Sequence, residues 1–484
     1  LLRKLVPVLF LLIVLWATGL AALDSFPLHN DEGLHLTRAV EVWHLHPFWE
    51  ITDGKIINHW LIAVFYPQHD PVFVGRFATI LVAMIGLAAG YALIAELFGA
   101  TAAFVAGLMW IASPYLFLYE RFAFSDPEAG ALIVLTLLCA FRLAQSGRPR
   151  DAILTGLALA LAALFKLTAA PFALLVAVIV LLVGQVAYRK RIINLMIVAG
   201  VVLACFAIPL AYLQLHGGGF SIALGWIVNS TPGRHAAPLE NLSRLWAQMI
   251  DFGSIGWSVL LGIGLVAFLA LAKRGPVLIL AWLLPFATIL ILGVDVMPRH
   301  FVVALPLALI FAGAGLAILI ERLPGLTIQR GVVAIIALIL ALGFVPFATI
   351  AYTHPGDLPL PPLESQQYVT DHSAGFGLRE AVTALPETVK DKTIPVIASM
   401  FPDSCKRANF YAINGFNLTC TAAPGIDTIT AALKDHPTVY VLAEKQPVGL
   451  DVKAIAVPVT RISGYPRPGE TESTASVVLW RFDR

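Results

Sequence analysis

The chain has 484 residues, a net charge of +2, and 59% hydrophobic against only 13% charged residues. Soluble domains carry roughly a quarter charged residues, so the composition excludes an ordinary soluble protein, and the near-neutral balance gives no footing for a nucleic-acid partner. Four cysteines without a CxxC pair leave no visible thiolate metal site or redox motif.

Apolar runs long enough to cross a bilayer recur along the first three quarters of the chain. The hydropathy pattern places spans near 4–23, 71–98, 100–118, 126–145, 151–168, 168–187, 191–214, 253–272, 275–293, 300–320 and 330–352. Position 1 is Leu, so the initiator region is expected to be missing. The first span could alternatively be a cleaved signal peptide, since Ala17 to Ala22 offers small residues, but its apolar run exceeds the usual h-region. Short basic loops orient the array: Arg3 and Lys4; Arg142, Arg148 and Arg150; Arg189, Lys190 and Arg191; Lys273 and Arg274; Arg322 and Arg330. All five fall on one side if about eleven helices alternate, and the positive-inside rule makes that side the cytoplasm. The expectation is a multi-pass protein of the plasma membrane with a cytoplasmic N-terminus. The loop 24–70, the segment 119–126, the turn at Lys166, the loop 215–250, the turn 295–299 and everything after 353 then lie outside.

The first outer loop carries the densest chemistry. Asp31 and Glu32 (FPLHNDEG) lie just beyond span one, and His35, Arg38, Glu41, Trp43, His44, His46, Trp49 and Glu50 follow in a segment of amphipathic helical character. Lys55, His59 and Trp60 precede the next span. Such a mixture suits a helix lying in the interface; its bland counterpart is a solvated loop. Further along, Arg121 and Asp126 (RFAFSDP) separate spans three and four, Lys166 (FKLTAAP) sits between five and six, and Arg299 and His300 (MPRHFVVALP) open span ten. Singly, Arg121, Lys166 and Arg299 read as snorkelling anchors. Together they place carboxylates and cations at one membrane depth, as handling a phosphate and a hydroxyl requires.

After Tyr352 the composition changes. Residues 353–363 (THPGDLPLPPL) form a proline-rich linker, and 364–484 reads as a small α/β or α+β domain. Thr393–Met400, Thr438–Ala443 and Ala475–Phe482 read as strands, and Gly377–Leu385 and Ile429–Lys434 as short helices. Cys405 and Cys420, on the oxidising side, could pair as a disulfide or stay as two buried thiols. The domain organisation is therefore a transmembrane part over 1–352, the linker, and an extracytoplasmic domain over 364–484.

In order along the chain come the Asp31-Glu32 pair, Lys55 to Trp60, the segment Arg121 to Asp126, the turn at Lys166, and Arg299-His300 before a Leu-Pro helix. This succession resembles the GT-C superfamily of glycosyltransferases, in the branch of the protein O-mannosyltransferases and the lipid A aminoarabinose transferase. Two positions depart from that branch. Lys55 is followed by Ile56, Ile57 and Asn58 rather than Pro-Pro, and Lys166 by Leu167 rather than Gly-Pro.

The resemblance implies transfer of a glycosyl group from a polyprenyl-phosphate sugar to a lipid, glycan or protein acceptor at the outer face of the membrane. A phosphate monoester has its second pKa near 6, so it can depart as a dianion without a general acid. It needs positive charge where its oxygen gains charge, for which Lys55, Arg299, Lys166, Arg121 and His300 are candidates. The acceptor needs a base or an orienting carboxylate, for which Asp31 is the choice, with Glu32 and Asp126 assisting and single displacement inverting the anomeric centre. His59 and Trp60 are candidates for contacts to acceptor or sugar. No cofactor is required by this scheme, although three acidic groups could also hold a divalent metal. The main rival is a transporter or lipid flippase, which would place its polar residues nearer the bilayer midplane. An oligosaccharyltransferase role would call for a WWDYG-type segment, which 364–484 lacks.

Overall fold

The structure, a computed structural model, describes residues 2–46, 55–66, 70–215, 237–292, 297–412, 418–422, 424–445 and 450–484. Trp49, Glu50, most of the expected 215–250 loop and residues 295–296 lie outside the described residues, as do the side chains of Arg3 and Lys4. The chain divides into two compact units. The first comprises Leu1–Ala21, Leu45–Phe65 and Arg76–Thr349, and the second Ala22–His44, Tyr66–Gly75 and Ile350–Arg484.

Helices run in chain order as α1 (Leu2–Leu20), α2 (Asn30–Trp43), α3 (Asn58–Ala63), α4 (Pro71–Phe98), α5 (Ala100–Ile111), α6 (Pro114–Glu120), α7 (Ser125–Ser146) and α8 (Pro149–Phe165). A 3-10 turn, Leu167–Phe172, leads into α9 (Ala173–Val183), followed by α10 (Tyr188–Leu215), α11 (Pro238–Leu271) and α12 (Gly275–Leu292). A second 3-10 turn, Pro298–Val303, precedes α13 (Leu305–Glu321) and α14 (Leu326–Thr353). All of these except α2 belong wholly or mainly to the first unit.

Among the described residues, five helical stretches are long and apolar enough to cross a membrane: Pro71–Phe98, Ser125–Ser146, Tyr188–Tyr212, Ser254–Leu271 and Leu326–Thr353. The bent pair α5 and α6 could make a sixth, and four shorter apolar helices accompany them. The bend of 65° has a local cause. Pro114 has no N–H to continue α5, and the Ser113 hydroxyl instead caps α6 by accepting from Leu116 N at 3.3 Å. Large apolar side chains on α10, α11 and α14 point outward: Leu203, Val266 and Leu342 are each about two thirds exposed. Water would penalise such a surface and hydrocarbon would not. The chain is a polytopic helical membrane protein.

Close approach inside this unit depends on small residues. At Gly130 on α7, an added Cβ would lie 2.7 Å from the carbonyl oxygen of Val302 in the second 3-10 turn. A side chain there would push that turn off α7. The helices α11 and α13 meet in the same way, with Gly264 and Gly315 backbone to backbone.

The second unit is built on a five-stranded sheet. Its elements are α15 (Leu378–Thr388), β1 (Val396–Met400), α16 (Pro402–Tyr411), β2 (Leu418–Ala422), α17 (Ile426–Asp435), β3 (Thr438–Glu444), β4 (Val459–Tyr465) and β5 (Val477–Asp483). The strand order is β2-β1-β3-β5-β4, with β2, β1 and β3 parallel and β5 antiparallel to both β3 and β4. Alternation divides β1 between two cores. Val396, Ala398 and Met400 pack with Leu378 and Leu385 of α15 and Cys405 of α16, while Ile397 packs with Ile429 and Leu433 of α17. A sheet covered on both faces explains why these strands read as continuous apolar runs. Cys405 and Cys420 form a disulfide between α16 and β2.

The same unit contains residues 22–44. Arg379 of α15 donates to the carbonyls of Asp24 and Ser25 at 2.9 and 3.0 Å, Phe26 stacks edge-on against Phe376, and α2 packs along α16.

Candidate active site

In the first unit, Lys55, Asp126, Lys166, Arg299 and His300 come together from four separate stretches of chain. Asp126 is the second residue of α7, where its charge complements the helix N-terminus. Lys166 ends α8 in an extended conformation (φ −154°, ψ 124°), which stops the helix and turns the chain into the first 3-10 turn. Its Nζ lies 2.5 Å from Asp126 Oδ1, and both side chains are almost closed to solvent. Lys55 is buried too. Its position is fixed by the next two residues, since Ile56 N and Ile57 N both donate to the carbonyl of Leu164, at 2.9 and 3.2 Å.

Arg299 and His300 arrive on the second 3-10 turn, which Gly130 admits against α7. The Tyr115 hydroxyl on α6 donates to the carbonyl of Pro298 at 2.5 Å, and His300 Nδ1 accepts from Met297 N at 3.1 Å. The Arg299 guanidinium stands 5.8 Å from the centre of the Phe124 ring. Lys166, His300 and Arg299 all act electrostatically on Asp126, and Lys55 and Arg299 act on Lys166. Lys55 and Arg299 thus both repel the buried Lys166, whose charge Asp126 offsets.

Of the other expected residues, Arg121, His59 and Trp60 belong to the first unit and Asp31 and Glu32 to the second. Arg121 Nη1 donates to the carbonyls of Thr18, Gly19 and Ala21 at 3.1, 2.8 and 2.6 Å, so its charge satisfies the C-terminal end of α1. His59 is fully buried in α3 and Trp60 half-buried beside it. In the second unit, Glu32 is fully buried and accepts from His29 N at 2.9 Å, while His29 Nδ1 accepts from Asp31 N at 3.1 Å. The two contacts form a reciprocal cap on α2. Asp31, one residue earlier than Glu32, is half-buried. Among the described residues, no group of three or more His, Cys, Asp or Glu side chains is placed to hold a metal ion.

Several further polar groups of the first unit, none of them singled out by the motifs, are buried. Arg76 is 1% exposed, with its guanidinium 5.1 Å from the centre of the Phe122 ring. Glu128 accepts from the Thr79 hydroxyl at 3.3 Å, and Glu120 from Trp110 Nε1 at 2.9 Å. An ionisable residue inside an apolar span is a functional candidate in its own right, and Arg76, near the start of a 28-residue apolar helix, carried that signal. Asn58 and Ser125 are fully buried, and neither the Asn58 amide nor the Ser125 hydroxyl finds a hydrogen-bond partner among the described residues. They flank the charged group in sequence, three residues after Lys55 and one before Asp126.

The family model described as dolichyl-phosphate-mannose-protein mannosyltransferase matches residues 46–212, about a third of the chain. The structure of ArnT from Cupriavidus metallidurans in the apo state superposes with a TM-score of 0.68 at 15% identity, covering 98% of this chain and 97% of that one. The same protein bound to undecaprenyl phosphate superposes equally well. The arabinofuranosyltransferase AftD from Mycobacteria gives a TM-score of 0.51 at 12% identity, covering 99% of this chain but 41% of that one. No curated protein matches the sequence. The fold is shared with ArnT, and the resemblance drawn from the sequence motifs is borne out.

Proposed function

We propose that the chain is a membrane glycosyltransferase that moves a sugar from a polyprenyl phosphate to a lipid, glycan or protein acceptor at the outer face of the plasma membrane. The observation that carries this reading is the gathering of Lys166, His300 and Arg299 at Asp126, with Lys55 acting on Lys166, an arrangement that suits a phosphate anion. The fold shared with ArnT, a protein that binds undecaprenyl phosphate, supports it. In this reading about eleven helices cross the membrane, with 364–484 on the outer side.

Lys55, Lys166, Arg299 and His300 receive the donor phosphate, and Asp126 holds Lys166 in place. The acceptor oxygen or nitrogen attacks the anomeric carbon as the bond from that carbon to the phosphate oxygen breaks. The electron pair leaves with the phosphate, where the cations stabilise the growing charge. The acceptor proton passes to Asp31, and Glu32 keeps the helix carrying Asp31 capped. Displacement in one step inverts the anomeric centre. The unpaired amide of Asn58 and hydroxyl of Ser125 cost free energy when buried alone, and sugar or phosphate oxygens would satisfy them. His59 and Trp60 serve sugar or acceptor.

The test is turnover by purified protein in nanodiscs, using a panel of synthetic polyprenyl-phosphate hexoses and pentoses. Release of free polyprenyl phosphate that depends on added membrane-extract acceptor is expected with one of them. Undecaprenyl phosphate binding without release from any donor, accompanied by lipid translocation across the bilayer, would replace the transferase with a flippase.

A further inference from the structure

The segment carrying Asp31 makes several contacts with α16 of the sheet domain. Arg407, fully buried on that helix, divides its guanidinium between several partners. Nη1 donates to the carbonyls of Leu28 at 3.1 Å and Ser373 at 3.0 Å. Nη2 donates to the carbonyl of His372 at 2.8 Å and to the Ser404 hydroxyl at 2.9 Å. Its stem fills the space in front of Gly33, where even an added Cβ would collide with Arg407 Cγ. One turn further on, the Tyr411 hydroxyl accepts from Leu28 N at 2.5 Å, and nearer the start of α16 Asp403 accepts from Asn30 Nδ2 at 3.4 Å. Leu28, Asn30 and Gly33 bracket Asp31 on both sides. All three rest on α16, and the Cys405–Cys420 disulfide ties α16 to β2 two residues before Arg407.

We propose that Arg407 is a positioning residue for Asp31, and that the disulfide keeps the helix bearing Arg407 in register. The proposal rests on the reading of Asp31 as the acceptor-side carboxylate. The guanidinium fork reaches two chain segments at once, from 28 and from 372–373, and so sets the N-terminus of α2 relative to the sheet domain. Lysine, a point charge, can hold only one of them. A displacement of about 1 Å at a reacting group can cost about a hundredfold in rate, so small losses here are amplified.

The experiment is a double-mutant cycle on the full chain in nanodiscs, with undecaprenyl phosphate as the binding probe and turnover on the donor identified by the panel above. Arg407→Met is expected to lower kcat by about a hundredfold and leave undecaprenyl phosphate affinity unchanged, with partial recovery in Arg407→Lys. In an Asp31→Asn background the same substitution should lower kcat less than about twofold, because the group it positions is already gone. Cys405→Ser should reproduce a smaller part of the kcat loss. Tyr411→Phe, which removes only the oxygen bound to Leu28 N, stands in for Arg407→Met if that variant fails to fold. Equal losses in both backgrounds, with Asp31→Asn itself impaired, would overturn the positioning role. Full turnover in Asp31→Asn alone would instead remove the reading on which it rests.

Discussion

Lys166 Nζ sits 2.5 Å from Asp126 Oδ1, with the side chains 6% and 3% exposed. The two residues are 40 positions apart in sequence, one opening α7 and the other closing α8, and their ion pair joins the ends of the two helices. Breaking a buried pair by removing one partner typically costs about 3–5 kcal/mol, because the other charge is stranded. Asp126→Leu and Lys166→Leu should each lower thermal stability in detergent, and the double variant should lose less than either single one. Additive losses would show that the pair is not coupled.

The same pair predicts opposite effects on an anion. Asp126→Asn removes a carboxylate that offsets the cations, so undecaprenyl phosphate should bind more tightly. Lys166→Ala removes a cation and should weaken it. Weaker binding in both, with folding verified, would place the phosphate elsewhere.

Lys55 and Arg299 belong to different parts of the chain and both act on Lys166. Each charge-assisted hydrogen bond to a poorly solvated phosphate should count for about 1.5–3 kcal/mol, or roughly ten- to a hundredfold in affinity. Lys55→Ala and Arg299→Ala should therefore each weaken undecaprenyl phosphate binding by that factor. Arg299→Lys should recover only part, because the planar fork is lost. Unchanged affinity in both alanine variants would reduce these residues to snorkelling anchors.

Much of this site was legible in the sequence because ionisable residues stand out in a chain with 13% charge. Lys55, Asp126, Lys166, Arg299 and His300 were each visible as departures from apolar runs, and the structure brings those five together. Arg121 looked the same from sequence, yet its guanidinium closes the end of α1; a one-dimensional pattern does not say which carbonyls a cation meets. Three strands of the sheet domain were readable as β-prone runs, whereas β2 (LTCTA) and β4 (VTRISGY) were not. Both are edge strands, short or polar, with little apolar alternation to betray them. The attachment of residues 22–44 to α16 uses Arg407 and Tyr411, 379 and 383 positions from Leu28, and no local pattern encodes it.

Topology is open to a direct test. The five basic loops predict that residues after 353 lie outside the cytoplasm. Alkaline phosphatase fused after Tyr352 should be active and green fluorescent protein at the same point dark. The reverse result would invert the whole array.

The sheet domain should also carry a defined acid sensitivity at Glu470. Its carboxylate accepts from Arg467 N and Ser476 N, both at 2.9 Å, and from the Ser476 hydroxyl. Partial burial alone would raise its pKa, but these hydrogen bonds win and hold it below the ordinary 4.5. A folded-state pKa below the unfolded one means stabilisation that is complete above about pH 4.5 and lost as pH falls through the folded value. Glu470→Gln cannot titrate and should lack that contribution. Hydrogen exchange of β4 and β5, compared between wild type and variant at matched pH, should show the variant less protected at pH 7. The gap should close as pH drops toward 3, where the wild-type carboxylate is itself protonated. A gap of the same size at both pH values would mean that the turn from Arg467 to Ser476 is held by something other than the charge on Glu470.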